Sequence, residues 1–419
     1  MTSYQHDAVT EDQQLPIARN KNHPVRIKSL VAFWILGLCN NYGYVVMLSA
    51  ASDIIKRNFG NETESPTTPE RNCNTISTGA ILLADIIPSL AIKVIAPFFP
   101  LCIHYRMVLI LLLSASGFVL VAEATKIWLA IFGVVNIALS SGLGEATLLS
   151  YMGLYKSTDV ISNWSSGTGG AGFFGSLTYM LLTILFSEEN RAKPLYIFLI
   201  VPCLMGFSFW VLLDKPVYIK EQVADGQSQE TFGLPSSSSS LQEMSVLQHF
   251  MINLKSIPPL FKYMIPFGLV YLFEYFINQG MFELIQFNGF IIAERDQYVI
   301  YQLAYQIGVF ISRSSIKLIE IRNIWLLAVL QGINVIIFTT DAIYSYVPNI
   351  YITLVLILYE GFLGGAAYVN TFNRITHEVS LEKREFSMSI TSLGDAAGIS
   401  LAGYLAIPSH NAICSLPKY

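Results

Sequence analysis

Residues 127–149 read IWLAIFGVVNIALSSGLGEATLL, twenty-three residues with no proline and a single charge, Glu145. At about 1.5 Å per residue, such a helix is about 34 Å long, enough to cross a hydrocarbon layer of roughly 30 Å. Runs of this kind recur along the chain. They place spans near 29–51, 77–97, 106–124, 127–149, 161–186 and 195–213, and, after a long polar stretch, near 262–286, 297–312, 324–340, 349–370 and 387–408. The expected fold is an all-α polytopic membrane protein of about 11 transmembrane helices.

Composition agrees. Hydrophobic residues make up 53% of the 419 and charged residues only 13%, where an ordinary soluble domain is about 25% charged. A net charge of -4 gives no footing for nucleic-acid binding. The five cysteines, Cys39, Cys73, Cys102, Cys203 and Cys414, include no C-x-x-C pair, so neither a disulfide framework nor a metal site is expected. The six histidines fall mostly in loops or tails and are not paired at ligand spacing. With no serine-histidine-acid arrangement and no phosphate-binding loop, no enzymatic activity and no cofactor are expected.

Orientation follows from the flanks. About 28 polar residues precede the first span and contain Arg19, Lys21, Arg26 and Lys28, which puts the amino terminus in the cytosol and makes the first span the signal anchor. The glycosylation acceptor beginning at Asn61 then falls in a lumenal loop, whereas a second, beginning at Asn163, falls on the cytosolic side and should stay bare. Arg313, Lys317 and Arg322 lie in a cytosolic loop on the same count. Eleven spans place the carboxyl terminus in the lumen.

The polar stretch contains five consecutive serines, Ser236 to Ser240, a composition typical of a flexible linker. It divides the chain into a cytosolic tail (1–28), a first six-helix half (29–214), a cytosolic loop (215–261), a second transmembrane half (262–408) and a carboxyl-terminal tail (409–419). This division resembles the major facilitator architecture, in which two helical halves rock about a central site. Loose internal symmetry supports it: Asn40-Asn41 opens one half as Asn278-Gln279 opens the other, and the glycine run beside Glu145 has a counterpart beside Glu360.

Asp85, Glu145, Glu274, Glu283, Arg313, Glu360 and Asp395 all fall within apolar runs. At about 2.5 to 3.5 kcal/mol each near the bilayer centre, together they represent roughly 20 kcal/mol, which requires pairing, hydration or function. Gln302, Tyr305, Gln306 and Arg313 fall on one face of the eighth span, the pattern of a pathway lining, although interhelical hydrogen bonds and a snorkelling arginine give the same pattern. Glu274 and Asn278, four apart, share a face, suited to holding a proton or a cationic group or to locking two helices through an ion pair. Asp85 and Lys93 in the second span can face one cavity or pair with each other. Residues 167–172 match G-x-G-x-x-G but lack the strand-helix-strand setting of a dinucleotide site. The first expectation for Gly167 and Gly169 is close helix packing; the second is that amides at a helix amino terminus, with Ser165, Ser166 and Thr168, receive an anion.

Several long stretches closely resemble the battenin family, the lysosomal membrane proteins whose loss underlies juvenile Batten disease. They are LGLCNNYGYVVMLSAA from Leu36, LLADIIP from Leu82, SSGLGEAT from Ser140, WSSGTGGAGFFG from Trp164, EYFINQG from Glu274, YQLAYQIGVFISRSS from Tyr301 and LYEGFLGGAAYVNTF from Leu358. The resemblance implies a late endosomal and lysosomal, or vacuolar, membrane protein taking part in clearance of glycerophosphodiesters, with basic amino acid transport and lysosomal pH control as older proposals. Some members end in a prenylatable cysteine motif; here Cys414 is followed by one residue too many.

The functional expectation is an alternating-access carrier of a small polar metabolite. Arg313 and Lys93 would meet its anionic part. Glu145, Glu274 or Glu360 would carry a proton or meet a cationic group, and Asn40, Asn41, Asn278, Gln302, Tyr305 and Gln306 would supply neutral hydrogen bonds. The alternatives are a basic amino acid carrier and a membrane scaffold that recruits trafficking proteins through its tail and loop.

Overall fold

The computed structural model describes residues 25–59, 78–99, 101–124, 126–155, 157–185, 193–214, 254–287 and 294–416. Within them the chain is helical throughout. The amino-terminal set comprises α1 (Ile27–Phe59), α2 (Thr78–Ile95), α3 (Ile103–Ala122), α4 (Ile127–Met152), α5 (Thr158–Leu185) and α6 (Ile200–Phe207), the last continued at both ends by 3-10 and π turns from Lys193 to Leu212. The carboxyl-terminal set comprises α7 (Phe261–Phe276), α8 (Glu294–Arg313), α9 (Ile324–Tyr344), α10 (Ile350–Glu378), α11 (Leu381–Thr391) and α12 (Leu393–Cys414). Among the described residues, 8 helical segments are long and apolar enough to cross a membrane. The shorter or more polar α2, α5 and α8 pack in the same bundle, so every sequence-derived span has its helix. The outer faces carry exposed Leu109, Leu112, Ile131, Phe132, Val329, Ile336 and Val355, the surface a lipid-embedded bundle presents.

Three local features shape the interior. A π turn, Ile277–Met281, extends α7 and carries the buried amides Asn278 and Gln279; such turns concentrate at functional sites. The eleventh span is broken at Ser392 into α11 and α12, with Asp395 in the first turn of α12. Glycines bring backbones together: a Cβ on Gly167 would run into the Trp34 carbonyl of α1, and one on Gly169 would lie 3.0 Å from the Phe310 Cα of α8. The glycine run therefore packs α5 between the two sets, the first of the two expectations for it.

The two sets also touch at the end carrying Lys317, Arg322 and Arg374. Lys317 pairs with Asp159 at 2.6 Å, and Thr158 lies 3.5 Å from His377. Ser150 donates to the Glu385 carbonyl at 3.3 Å. Cys39, Cys102 and Cys203 are free, whereas Cys414 is disulfide-bonded, which corrects the expectation of no disulfide. The fifth cysteine, Cys73, lies outside the described residues, as do Asn61 and the serine run.

Candidate functional site

The mid-span charges meet in one network that crosses both helix sets. Lys93 of α2 lies 2.6 Å from Glu145 of α4 and 3.2 Å from Asp395 of α12, and its ammonium also approaches the Ser392 carbonyl at the helix break, at 3.4 Å. A discontinuous helix end thus contributes both a backbone acceptor and a carboxylate to one buried cation. The pairing of Lys93 with Asp85, one reading of the sequence, does not occur. Asp85 is 1% exposed and neither of its oxygens has a partner.

From Glu145 the network runs on. The Tyr368 phenol of α10 donates to Glu145 at 2.8 Å and accepts from the Trp164 indole of α5 at 3.0 Å. The Arg313 guanidinium lies over the Tyr368 ring, 4.1 Å from its centroid, and donates to the Thr168 hydroxyl and the Tyr271 phenol, each at 2.7 Å. Arg313 is only 8% exposed, which sets aside the snorkelling reading. Every group that holds it is neutral, its Nε has no partner, and no carboxylate comes within ion-pair distance among the described residues. Lys93 is held by two carboxylates, whereas Arg313 has none at ion-pair distance among the described residues, so the two cations are not equivalent.

On the other side of Tyr271, the Tyr305 phenol donates to Glu274. The second Glu274 oxygen, the Asn278 carbonyl oxygen and both oxygens of Glu360 are buried without partners. Glu283 sits apart, 3.6 Å from His410, as an end-of-span residue would.

The remaining sequence-derived residues fall around this centre. Asn40 donates to Asn41 and to the Ser141 carbonyl. Gln302 donates to the Tyr298 hydroxyl at 3.1 Å. Gln306 lies against Gly172, where an added Cβ would strike its amide. Ser166 accepts from the Trp34 indole and from Ser314, at 3.1 and 2.9 Å; the Ser165 hydroxyl is buried without a partner. Because α5 begins at Thr158, residues 165–169 lie inside it and their amides are committed to the helix. An anion held by amides at a helix amino terminus is therefore excluded at this run, and the Thr168 side chain enters the site as the support of Arg313 instead.

Sequence reasoning noted Asp395 as a charge but missed its place in the site, and missed Tyr368, Tyr271 and Trp164 entirely. An aromatic ring in an apolar helix reads as core packing unless its polar tip is known to meet a charge. Among the described residues no cluster suited to a metal is present.

The family model described as CLN3 protein matches residues 31–416. The chain belongs to the CLN3 protein family. It is 41% identical to battenin of Canis lupus familiaris over 93% of this chain and 92% of that protein. It is 40% identical to Protein BTN1 of Debaryomyces hansenii, covering 92% and 93% of the two chains, and 35% identical to Protein BTN1 of Saccharomyces cerevisiae, covering 91% and 94%. Among solved structures, the human organic anion transporter MFSD10 superposes with a TM-score of 0.54 at 12% identity, over 93% of this chain and 96% of that one. A bacterial homolog of the human lysosomal transporter Spinster, in an inward-facing and occupied conformation, gives 0.51 at 12% identity, over 90% and 80%. This CLN3 family member thus has the helical bundle of major facilitator transporters, and the Lys93 and Arg313 networks lie where its two helix sets meet.

Proposed function

We propose that this CLN3 family protein is an alternating-access carrier of the lysosomal or vacuolar and late endosomal membrane that exports a small, phosphate-containing polar metabolite of the glycerophosphodiester class. One observation carries the reading: a buried guanidinium, Arg313, at the contact between the two helix sets, with no carboxylate at ion-pair distance among the described residues. An isolated charge in a dry interior costs several kcal/mol, which an anionic cargo offsets. Arginine suits a phosphodiester because its planar fork matches two phosphate oxygens. Lys93 is already engaged, so its part is to tie α2 to α12 rather than to meet cargo. Gln302, Gln306, Asn40, Asn41 and Asn278 supply neutral contacts along the path.

The amino terminus is cytosolic in this reading. The basic end of the bundle, with Lys317, Arg322 and Arg374, then faces the cytosol, and the disulfide-bonded Cys414 belongs to the oxidising lumenal side.

A basic amino acid is the second reading, favoured by the surplus of buried carboxyls over buried cations near the site. Mass spectrometry of metabolites in lysosomes isolated with and without the protein separates the two. Build-up of glycerophosphodiesters, reversed by wild type and not by Arg313→Ala, supports the proposal. Build-up of arginine or lysine supports the second reading, and unchanged metabolites favour a scaffold.

A further inference from the structure

Five buried carboxyls, Asp85, Glu145, Glu274, Glu360 and Asp395, surround only two buried cations in the middle of the bundle, Lys93 and Arg313. Glu145 and Asp395 are satisfied by Lys93. The surplus on the second-half side is concentrated at Glu274 and Glu360. Glu360 of α10 is 0% exposed, and neither of its oxygens has a partner. One turn further along the same face lies Gly364, where an added Cβ would strike the Glu274 carboxyl of α7. The two acids therefore sit about one helical turn apart across the α7–α10 contact. Asn278, on the π turn that follows α7, has a buried carbonyl oxygen without a donor.

Three acceptor oxygens at the α7–α10 contact, the second of Glu274 and both of Glu360, thus lack a donor, while the Tyr305 phenol serves the first Glu274 oxygen. The groups around them do not make up the deficit. Arg313 on α8 is engaged by Thr168 and Tyr271, and Asp395 on α12 and Asp85 on α2 are themselves acids. Asn334 of α9 donates to the Gln331 carbonyl oxygen, and the Gln331 Nε2 is buried without a partner, while Asp341 accepts from Val347 toward the end of that helix. Arg384 of α11 donates to backbone carbonyls at the basic end. Two ionised carboxylates this close in a dry interior repel and are both desolvated; one added hydrogen turns the repulsion into a charge-assisted hydrogen bond.

We propose that Glu274 and Glu360 form a proton-binding pair, separate from the anion site at Arg313, that takes up and releases one proton with each passage of substrate. On loading, an O–H bond forms between a carboxylate oxygen and a proton from lumenal water; on release that bond breaks to cytosolic water, and nothing is oxidised or reduced. The pair rests on the carrier reading above, and it assigns the coupling role to Glu274 with Glu360 rather than to Glu145.

The test uses the purified full-length chain in liposomes, with labelled glycerophosphocholine as probe and a pH-sensitive dye inside. Exchange of labelled for unlabelled probe at equal pH needs no net proton movement, whereas gradient-driven accumulation does. Wild type should accumulate probe several-fold more with a proton gradient and acidify the interior as it does so. Glu360→Gln should keep measurable exchange and lose both the gradient-driven gain and the acidification, and Glu360→Asp should restore part of each.

Unchanged coupling in Glu360→Gln overturns the pair. So does loss of exchange in both Glu360 variants while they elute and melt like wild type, because the residue then serves cargo binding. Accumulation driven by a sodium gradient in place of protons also overturns it, since the carboxylate oxygens would then hold a metal cation. Wild type that exchanges no probe at all defeats the carrier reading itself, and the pair with it.

Discussion

Lys93 and Asp395, 302 residues apart in sequence, lie 3.2 Å apart in the structure, joining α2 of the first helix set to the break between α11 and α12 of the second. Asp395 also accepts from the Ala396 amide at 2.6 Å, so the carboxylate is fixed at the start of α12 before the lysine reaches it. With Glu145 completing the cluster, the two sets are tied by ionic contacts, which the proposed alternating-access cycle would have to part.

Removing only the lysine leaves two buried carboxylates unpaired. Lys93→Met should destabilise the detergent-solubilised protein by about 3 to 5 kcal/mol. The triple variant Lys93→Met, Glu145→Gln, Asp395→Asn should recover most of that loss in a thermal melt. A triple variant no more stable than the single one would show that the cluster is not a closed ionic unit.

Arg313 makes two side-chain hydrogen bonds and a ring contact, which a lysine ammonium cannot reproduce together. Arg313→Lys should therefore reduce glycerophosphodiester flux at least about tenfold, equivalent to about 1.4 kcal/mol or more. Tyr271→Phe, which removes one support and keeps the charge, should cost about 0.5 to 1.5 kcal/mol and reduce flux less. Initial-rate uptake by liposomes containing each variant reads the order directly.

Gly169 touches the α8 backbone, so Gly169→Val pushes α5 from α8 and displaces both Thr168 and Arg313. Transport should be abolished. Ser166→Ala, which removes hydrogen bonds to Trp34 and Ser314 on the rim, should retain most of it. Equal loss in the two would show that the Ser166 bonds to Trp34 and Ser314 matter as much as the α5–α8 contact.

If the protein acts as a carrier, deleting the serine-rich segment 235–240 should leave flux close to wild type, because a solvated linker holds no part of the site. A scaffold would lose its function with the loop. Flux and partner recruitment measured on the same deletion separate the two.

Glycan mapping tests the orientation. Asn61→Gln should remove one glycan, and Asn163→Gln none, since the Asn163 amide is half-buried and donates to the Asp159 carbonyl at 2.8 Å. A glycan on Asn163 would reverse the bundle in the membrane.

Much of the architecture is legible in the chain because a helix crossing lipid must be long and apolar, and α3, α4, α9 and α10 say so residue by residue. The break at Ser392 is not legible, since Gly394 two residues on looks like the packing glycines of the other spans, and Lys93, which meets both the Ser392 carbonyl and Asp395, comes from α2. Tyr305 and Arg313, which spacing puts on one face of the eighth span, are both buried in the structure. Spacing left open whether Asp85 and Lys93 pair; they do not, because the partners of Lys93 come from α4 and α12. The phenols of Tyr271 and Tyr368 escaped notice because their rings satisfy the apolar pattern while their hydroxyls do the polar work.

The central claim is that the buried Arg313 receives the anionic group of a transported metabolite. Its most direct test is uptake of labelled glycerophosphocholine by liposomes containing wild type or Arg313→Gln, competed by an unlabelled phosphodiester and by the same alcohol without phosphate. The account predicts uptake by wild type, competition only by the phosphodiester, and loss of uptake in a variant that melts close to wild type. Uptake that survives Arg313→Gln, or that the phosphate-free alcohol inhibits equally well, would contradict it.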